Sequence, residues 1–316
     1  MLSRQLQNIV PLSSRAKRGI CFFLSVFAFS SATTLAQTKR PKILGISSVR
    51  ISCDEICKDE AFYSALLPLA GDCRWCGRIP GTNVGRAENP YFLNDSQEVY
   101  LTKSSPKPDP EGLAEITFAT DNIEFLRRYL KESGIQANQS ARDGSVSLID
   151  PDGHNIRFVQ PAEKHWNYSH KVRGMRLIHV GFVVRDREAE DHFYKDILGF
   201  HLYWQGGRKD GETDWVSMQV PDGRDWIEYM LNVPANADHH TLGVANHIAL
   251  GVPDIHAAEA QLRKNGWTSS EQPKIGRGGK WQLNVYDPDD TRIEFMEFTP
   301  VQKPCCSEYT GPHPKP

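Results

Sequence analysis

The sequence predicts an α+β fold in which two similar domains follow one another. Three observations support this: an internal repeat, short apolar stretches of alternating polarity, and helical patterns between these stretches. The repeat has an offset of 132 residues and relates Gly45–Asp54 to Leu177–Asp186 and Ala114–Ile123 to Asn246–Ile255. Self-similarity at a fixed offset indicates duplication of a structural unit.

The repeat defines the expected domain limits. The first domain spans residues 42–162 and the second spans residues 174–299, with the polar segment 163–173 as the linker. A chain of 316 residues is about twice the usual length of one domain, which agrees with this division. Residues 300–316 are rich in proline and are predicted to form a flexible tail. The net charge of -2 gives no reason to expect nucleic acid or an anionic membrane as a partner.

Each domain divides further into two modules with the predicted order β-α-β-β-β. In the second domain the helical patterns are Glu188–Leu198, followed by Gly199, and Ile255–Lys264, followed closely by Gly266. Glycine just after a helix is a common stop signal. One module has too few strands to bury an apolar face alone, so two modules are expected to form one curved, partly closed mixed sheet. The predicted strands of this domain are 176–184, 201–205, 215–220, 226–231, 246–252, 281–286 and 292–298.

Residues 1–36 have the layout of a secretory signal peptide. Basic residues precede the apolar run Gly19–Ser30, and Ala36 ends a small-residue cleavage site. The run is shorter than the roughly 20 apolar residues that a membrane-spanning helix needs. The sequence therefore predicts a secreted or periplasmic protein with no membrane anchor after cleavage.

Four cysteines lie close together in the first domain: Cys53, Cys57, Cys73 and Cys76. In an exported protein one or two structural disulfides are expected among them. Spacing alone does not determine the pairing, which is therefore left open. A four-cysteine zinc site is the alternative interpretation.

Four residues of the second domain are candidate metal ligands: His179, Glu228, His247 and Glu294. Each lies in a predicted strand, where alternation can place it on the polar face while its apolar neighbours pack on the other. A single histidine in a strand is usually an ordinary core or surface residue. Two imidazoles and two carboxylates in matched positions favour one divalent metal ion, and these donors suit Ni, Zn, Fe, Mn and Co alike. Small residues beside them are expected to leave space for a substrate: Gly181, Ala249 and Gly251.

The first domain lacks this set of ligands. The residues that align with the two histidines and with Glu294 are Ser47, Glu115 and Arg157, and either Glu98 or Tyr100 stands at the place of Glu228. The opposite charges of Glu115 and Arg157 predict an ion pair where a metal ion would lie. Such a pair holds register more than it adds stability. The first domain is therefore predicted to be degenerate and structural.

This layout resembles the vicinal oxygen chelate (VOC) superfamily, which includes glyoxalase I, extradiol dioxygenases and fosfomycin-resistance enzymes. The second domain looks most like bacterial glyoxalase I. The segments with close counterparts are Met175–His179, Phe193–Phe200, Ile227–Asn232, Asn246–Leu250, Gly278-Gly279 and Asp287–Glu297. The resemblance implies tandem VOC domains and one divalent metal ion held by the four candidate ligands.

The resemblance also implies a metal-dependent lyase or isomerase. A small substrate with adjacent oxygens would chelate the metal, which would stabilise an enediolate during proton transfer. The carboxylate that matches Glu294 transfers the proton in glyoxalase I, and the one that matches Glu228 can serve on the opposite face. Both are therefore catalytic candidates as well as ligands.

Four further residues are candidates for substrate binding: Asn232, Arg277, Trp226 and Met296. The first two stand at or near positions that contact glutathione in glyoxalase I, and the last two share a strand face with the candidate ligands. Val183 stands where glyoxalase I has a cationic residue, so the substrate can differ from a glutathione adduct. Three other basic residues are expected to be solvated at the surface: Arg208, Lys209 and Lys280.

Two alternatives stay open. His179, His247 and Glu294 could form the two-histidine, one-carboxylate iron site of an extradiol-type ring-cleaving dioxygenase, although Glu228 adds a fourth ligand. A non-catalytic binding or resistance protein that sequesters a small molecule is the other, although the intact ligand set favours an enzyme. A monomer is favoured over a homodimer because a duplicated chain can pair its own domains.

Overall fold

The computed structural model describes residues 40–66, 90–103, 112–161 and 175–316. Residues 39–316 form one compact unit. The predicted signal peptide, the linker and two of the cysteines, Cys73 and Cys76, lie outside the described residues. None of the described helices is long and apolar enough to cross a membrane.

The N-terminal domain is built on a mixed seven-stranded sheet with the spatial order β2-β3-β1-β4-β7-β6-β5. Its strands are β1 (Ile43–Cys53), β2 (Pro90–Asn94), β3 (Gln97–Lys103), β4 (Leu113–Thr120), β5 (Asn138–Gln139), β6 (Val146–Ile149) and β7 (Asn155–Val159). Helix α1 (Ile56–Leu66) follows β1, and helix α2 (Ile123–Glu132) follows β4. The side chain of Asn122 accepts a hydrogen bond from the amide of Phe125 and so caps α2.

The C-terminal domain repeats this arrangement in an eight-stranded mixed sheet. Its strands are β8 (Arg176–Val183), β9 (His201–Gly206), β10 (Trp215–Gln219), β11 (Trp226–Met230), β12 (His247–Val252), β13 (Lys274–Ile275), β14 (Trp281–Tyr286) and β15 (Arg292–Glu297). The spatial order is β9-β10-β11-β8-β12-β15-β14-β13. Strand β8 occupies the place of β1, β12 that of β4 and β15 that of β7, and β9 forms the edge of the sheet next to β10. The predicted α+β class with paired β-α-β-β-β modules is confirmed.

The helices of the C-terminal domain begin after aspartates. Helix α3 (Arg187–Glu190) runs directly into a π-helical segment (Asp191–Ile197), and it is followed by α4 (His239–Ala245) and α5 (Ile255–Lys264). The capping aspartates are Asp186, Asp238 and Asp254, whose carboxylates accept from backbone amides of the first turn. Gly199 and Gly266 adopt positive φ angles of 81° and 97° just past two of these segments, as the sequence predicts.

The register of the C-terminal sheet brings the candidate ligands onto four adjacent strands. Strands β8 and β12 form the central antiparallel pair and join the two modules. Strand β11 lies parallel to β8, and β15 lies parallel to β12. In these ladders Gly181 is the partner of His247 and Glu228, and Ala249 is the partner of His179 and Glu294.

The two domains share one hydrophobic core. Phe182 of the C-terminal sheet and Val49 of the N-terminal sheet belong to the same cluster of buried side chains. The side-chain amide of Gln97 donates to the carbonyl of Leu177 at 2.9 Å, and the amide of Leu177 donates back to Gln97 at 2.9 Å. Full burial of one large apolar side chain contributes roughly 1.5–3 kcal/mol. Buried side chains of both domains therefore stabilise the contact between the two sheets.

The C-terminal tail packs against the second sheet, although its composition predicts flexibility. The ring of Tyr309 lies 4.7 Å from that of Tyr203, and its hydroxyl donates to the carbonyl of Gly278 at 2.8 Å. The side chain of Gln219 donates to the carbonyl of Pro312 at 2.9 Å. Proline restricts the unfolded chain, so ordering this segment costs less entropy than its irregular path suggests. The tail instead forms part of the C-terminal domain.

The cysteines follow the disulfide prediction only in part. Cys57 is disulfide-bonded. Cys53 is a free, buried thiol and takes no part in the disulfides expected for its cluster. The neighbouring residues Cys305 and Cys306 form a disulfide with each other within the tail.

Candidate metal centre

Two imidazoles and one carboxylate meet at the centre of the C-terminal sheet. His179 Nε2 lies 3.0 Å from His247 Nε2 and 3.4 Å from Glu294 Oε2. His247 Nε2 lies 3.8 Å from the same carboxylate oxygen. The three side chains are buried, and one potential ligand atom of each lies within 4.8 Å of the others. Ligands at about 2.0–2.2 Å from one ion are at most about 4.4 Å apart, so this spacing suits a shared cation.

Glu228 stands at the edge of this group. Its Oε2 lies 3.7 Å from His247 Nε2. Its Oε1 accepts a hydrogen bond of 3.2 Å from the hydroxyl of Ser217, the residue opposite it in the β10–β11 ladder. The structure thus brings all four predicted ligands together, with Glu228 the least central. Sequence analysis gave Ser217 no role, because only the strand pairing reveals it.

His247 is held in one orientation by its surroundings. Its Nδ1 donates to the carbonyl of Ala245 at 2.9 Å, which leaves Nε2 to face the other ligands as an acceptor. A Cβ atom at Gly181 would overlap the His247 ring. The expectation that Gly181 leaves space for a substrate is therefore wrong, because the imidazole fills that space. Gly251 is similar, since a Cβ atom there would overlap the ring of Phe298.

Burial and nearby charge control the protonation of this group. Burial, assisted by Arg292 and His179, holds the pKa of His247 well below its ordinary value, so its imidazole is neutral. Burial raises the pKa of Glu228. Burial acts on Glu294 in the same direction, but the hydrogen bond of His179 and the charge of Arg292 outweigh it, and the pKa of Glu294 falls below its ordinary value. The two carboxylates are thus shifted in opposite directions.

The donor set fits a divalent cation. Two imidazoles and two carboxylates direct nitrogen and oxygen ligand atoms toward the space between them. His179 Nδ1 is buried and has no hydrogen-bond partner among the described residues. Arg292 Nη2 lies 2.9 Å from both ring nitrogens of His247, Nδ1 and Nε2, so it contacts the imidazole as a whole and is not a directed donor to Nε2. The lone pair of Nε2 stays available to a cation bound between the ligands.

A cavity of about 650 Å³ opens onto two of the four candidate ligands, Glu228 and Glu294. Trp226 and Met296 line it, as predicted, and Arg277 lies at its wall. The ring of Trp226 stacks on that of His179, with centroids 4.7 Å apart. The tail closes one side of the cavity with Gln302, Lys303, Pro304, Cys305 and Tyr309. This contribution could not be predicted from the sequence, because the tail has no periodic pattern.

Three other residues considered for substrate binding do not line this cavity. Asn232 adopts a positive φ of 59°, and its amide donates to Thr213 O and Asp214 Oδ1, both at 3.1 Å. It therefore shapes a loop, and the structure does not place it in contact with a substrate. Arg208 and Lys209 are solvated, as expected, with exposed side-chain fractions of 60% and 80%.

Lys280 is buried in the cavity wall, although it was expected at the surface. Its exposed fraction is 2%. Its ammonium lies 4.8 Å from the ring centroid of Trp226, 5.2 Å from that of Tyr309 and 5.4 Å from that of Tyr203. Burial lowers the pKa of Lys280 to about 7 against the opposing charges of the ligand carboxylates. The alternation of side chains along the strand could have predicted this position, because Lys280 lines the cavity with Gln282 and Asn284 at a period of two residues.

The N-terminal sheet carries other side chains at the equivalent ladder positions. Thr117 takes the place of Ala249, and its partner across the central pair is Ser48. Ser48 therefore stands where His179 stands in the other sheet. The alignment to Ser47 was wrong by one residue, because the ladder skips a position between Ile46 and Ser48. A bulge of this kind cannot be read from the repeat.

Charged side chains fill the centre of the N-terminal sheet. Arg50 takes the place of Gly181, and its partner on β3 is Tyr100, which identifies Tyr100 rather than Glu98 as the counterpart of Glu228. Glu115 Oε1 lies 3.8 Å from Arg157 Nη1 and 3.8 Å from Arg50 Nε. The ion pair predicted between Glu115 and Arg157 is therefore present, and Arg50 joins it.

Comparison with known proteins places the second domain in a family. The model of the Glyoxalase/Bleomycin resistance protein/Dioxygenase superfamily matches residues 176–295. Lactoylglutathione lyase of Haemophilus influenzae is 30% identical over 125 residues, which cover 39% of this chain and 93% of that protein. The probable lactoylglutathione lyase of Synechocystis is 30% identical over 127 residues, which cover 39% of this chain and 95% of that protein.

Solved structures resemble a larger part of the chain. Homoprotocatechuate 2,3-dioxygenase from Brevibacterium fuscum, in its complex with 3,4-dihydroxyphenylacetate, has a TM-score of 0.57 and 16% identity, covering 86% of this chain and 87% of that one. Catechol 2,3-dioxygenase has a TM-score of 0.57 and 15% identity, covering 87% of this chain and 96% of that one. At this identity the likeness shows the fold alone, and it extends over both domains.

The fold and the site define a protein of two paired mixed sheets with a candidate His/Glu metal centre on one of them. The chain belongs to the glyoxalase/bleomycin resistance protein/dioxygenase superfamily, because its second domain matches both the family model and nearly the whole length of a relative at 30% identity. The resemblance inferred from the sequence is thereby confirmed.

Proposed function

We propose that this protein is a divalent-metal-dependent lyase or isomerase of glyoxalase I type. The observation that carries the proposal is the meeting of His179, His247 and Glu294 within 4.8 Å, in the domain that matches lactoylglutathione lyases. These three residues and Glu228 would hold the ion. When bound, the ion supplies Lewis-acid stabilisation of negative charge on adjacent substrate oxygens.

Glu294 and Glu228 are the groups that we assign to proton transfer. Both line the cavity, and they come from strands on opposite sides of the central β8–β12 pair. Glu294 can accept a proton at a carboxylate oxygen from a substrate carbon held over the histidines. Glu228 is positioned by Ser217 and can exchange a proton on the opposite face of the substrate.

The cavity wall favours a small substrate that combines adjacent oxygens with an apolar part and a negative charge. Trp226 and Met296 supply apolar contact surface. Arg277 and Lys280 supply positive charge, and a buried ammonium favours an anionic partner strongly because little solvent screens it. We further propose that the mature protein works as a monomer outside the cytoplasm, since its N-terminal segment has the layout of a signal peptide.

An extradiol-type dioxygenase is the second candidate. The observation that favours it is the position of Glu228, which approaches His247 at 3.7 Å and hydrogen-bonds Ser217 instead of joining the closest group. His179, His247 and Glu294 alone would then form a two-histidine, one-carboxylate site, a donor set used by non-haem Fe(II) oxygenases.

Metal reconstitution with two assays tests both candidates. The chain would be stripped with chelator, reloaded separately with Ni, Zn, Fe, Mn or Co, and assayed for thioester formation from hemithioacetals and for oxygen uptake with catechols. The proposal predicts thioester formation that Glu294→Gln abolishes. Glu115→Gln is the matched control, because it makes the same exchange at the N-terminal sheet and should leave activity unchanged. Oxygen uptake with Fe alone would support the second candidate, and inactivity in both assays would contradict both.

A further inference from the structure

A second group of potential metal ligands lies between the two domains. It consists of Cys53 at the end of β1, Asp59 in the first turn of α1 and Asp289 in the turn between β14 and β15. One ligand atom of each lies within 4.8 Å of the others. Cys53 and Asp59 are buried, and Asp289 is half-buried. The group therefore joins the N-terminal domain to a turn of the C-terminal domain.

The buried carboxylate of Asp59 lacks a hydrogen-bond donor among the described residues. Its exposed fraction is 0%, and neither oxygen has a hydrogen-bond partner among the described residues. Burial raises the pKa of Asp59 to about 7, and the negative charges of Asp289 and Asp287 add to the rise. A buried polar group without a partner costs free energy, and an unpaired charge costs more. This side chain therefore points into a space that suits a cation.

The remaining carboxylates of this region have their own donors. Asp287 accepts from the hydroxyl of Tyr63 at 3.0 Å and from the amide of Thr291 at 2.7 Å. Asp289 Oδ2 accepts from the amide of Asp54 at 2.7 Å. These hydrogen bonds fix the turn and hold Asp289 beside Asp59 and Cys53. The ligand positions are therefore set by the fold.

The internal repeat gives this group of potential ligands a counterpart elsewhere in the molecule. The hydrogen bonds of the two places match, but their side chains differ. There the hydroxyl of Tyr194 donates to Asp150 at 3.0 Å, as Tyr63 does to Asp287. The amide of Arg185 donates to Asp152 at 2.6 Å, as Asp54 does to Asp289. These matching bonds identify Val184 as the counterpart of Cys53, Glu190 as that of Asp59 and His154 as that of Thr291.

The two halves satisfy their buried carboxylates to different extents. In the Glu190 half, His154 Nδ1 lies 2.8 Å from Asp150, and the amide of Asp152 donates to Glu190 Oε1 at 2.9 Å, so only Glu190 Oε2 has no partner among the described residues. In the Asp59 half a threonine replaces that histidine, a thiol replaces the valine, and neither oxygen of Asp59 has a partner among the described residues. The half that lacks the imidazole thus carries a potential sulfur ligand at a different position.

We propose that Cys53, Asp59 and Asp289 bind a divalent cation of the zinc class, which links the two domains. A thiolate with two carboxylates suits Zn²⁺ or Co²⁺, whereas Mg²⁺ and Ca²⁺ take oxygen ligands. Bond lengths of about 2.3 Å to sulfur and about 2.0–2.2 Å to oxygen place ligand atoms roughly 3.5 Å apart, within the observed spacing. The half-buried Asp289 gives the ion access from solvent. Binding displaces to solvent the Cys53 thiol proton and whatever proton Asp59 holds at that pH, so at least one proton is released per ion.

Cobalt titration tests the proposal, because sulfur distinguishes this site from the His/Glu centre. The metal-free full chain would be titrated with Co²⁺ without reductant, so that the Cys57 and Cys305–Cys306 disulfides stay oxidised. A thiolate-to-cobalt charge-transfer band should appear in the near ultraviolet and saturate at one equivalent. Cys53→Val should abolish the band, and Asp59→Asn should weaken binding at least tenfold. Valine occupies the equivalent position in the other half, so the first variant is expected to fold.

Two controls separate this site from the proposed catalytic centre. Replacement of both Glu228 and Glu294 by Ala should leave the charge-transfer band unchanged, whatever it does to activity. Zn²⁺ should raise the melting temperature of that double variant but give a smaller rise when Cys53→Val is added to it. The absence of a band in the unchanged chain would overturn the proposal. A band that persists in Cys53→Val would also overturn it, because the sulfur would then belong to another cysteine.

Discussion

The two sheets of the protein place opposite kinds of side chain at the same ladder positions. In the C-terminal sheet, two histidines and Glu294 offer acceptor atoms to a common point. In the N-terminal sheet, Glu115 lies between Arg50 and Arg157, at 3.8 Å from each. The centre of the C-terminal sheet is rich in acceptor atoms. At the centre of the N-terminal sheet, arginine side chains supply the positive charge. The same strand order therefore supports a candidate metal site in one domain and an internal ion-pair network in the other.

Gly181 and Arg50 occupy equivalent positions in the two sheets, and the difference between their side chains separates the two sheet centres. A Cβ atom at Gly181 would overlap the ring of His247, so the imidazole can occupy its position only beside glycine. Arg50 stands at the equivalent position and extends a long side chain over the ring of Tyr100, 5.2 Å from its centroid. The fold thus sets where ligands can converge, and a few side chains decide whether a cation is bound.

Removal of a central ligand should have the largest effect. His247→Ala leaves His179 and Glu294 without their common partner, so the affinity for Ni²⁺ or Zn²⁺ should fall at least ~100-fold, which exceeds typical losses from changes behind the ligands. Isothermal titration of metal into the chelator-treated chain measures the loss. Glu115→Ala, at the equivalent position of the N-terminal sheet, is the control and should leave metal affinity unchanged. Equal losses in both variants would show that the two sheets do not differ in the way described.

Gly181→Ala should weaken the metal site without removing a ligand. The added methyl group must displace the His247 ring, and forced overpacking of a buried site typically costs about 1–3 kcal/mol. Metal affinity should fall roughly tenfold to 100-fold, and the thermal midpoint should drop in the metal-free protein. Arg50→Ala is the matched variant in the other sheet and should change stability but not metal binding. Unchanged metal affinity in Gly181→Ala would mean that His247 is not a ligand.

Much of this comparison could be predicted from the sequence. The 132-residue repeat and the alternating strands gave the fold, because both patterns depend only on local periodicity. The four candidate ligands converge because the alternation put each on the polar face of its strand. The ion pair of Glu115 and Arg157 followed from the alignment of the two repeats.

The remaining features depend on pairing across strands, which local patterns do not contain. The bulge that selects Ser48, the hydrogen bond of Ser217 to Glu228 and the filling of the space at Gly181 all require the register. The tail is held by aromatic contacts to Tyr203, a residue about 100 positions away in the chain. Its composition, which predicts flexibility, does not contain this contact. Lys280 differs, because its alternation with Gln282 and Asn284 predicts the cavity face, and only its burial by the tail depends on a distant part of the chain.

Lys280 should make stability depend on pH in a direction that surface lysines do not produce. Its pKa is about 7 in the folded protein but about 10.4 in an unfolded chain. Between these values the unfolded chain binds more protons, so this residue makes the free energy of unfolding rise with pH, by at most about 1.4 kcal/mol per pH unit. Urea unfolding of metal-free wild type and Lys280→Met between pH 6.5 and 9 measures the effect. The advantage of the variant should be greatest at the lowest pH, and a pH-independent difference would contradict the assignment.

Two arginines, one from each sheet, offer the finest test of the comparison. Arg292 Nη2 lies 2.9 Å from both ring nitrogens of His247, so its positive charge opposes a cation bound there. Arg292→Gln should therefore tighten metal binding a few-fold, about 1 kcal/mol, after screening by solvent. Arg157→Gln makes the same exchange in the N-terminal sheet, where it should cost about 1 kcal/mol of stability or less and leave metal affinity unchanged. Metal titration of both variants separates the roles, and weaker binding in Arg292→Gln would show that this arginine supports the metal site instead of competing with the ion.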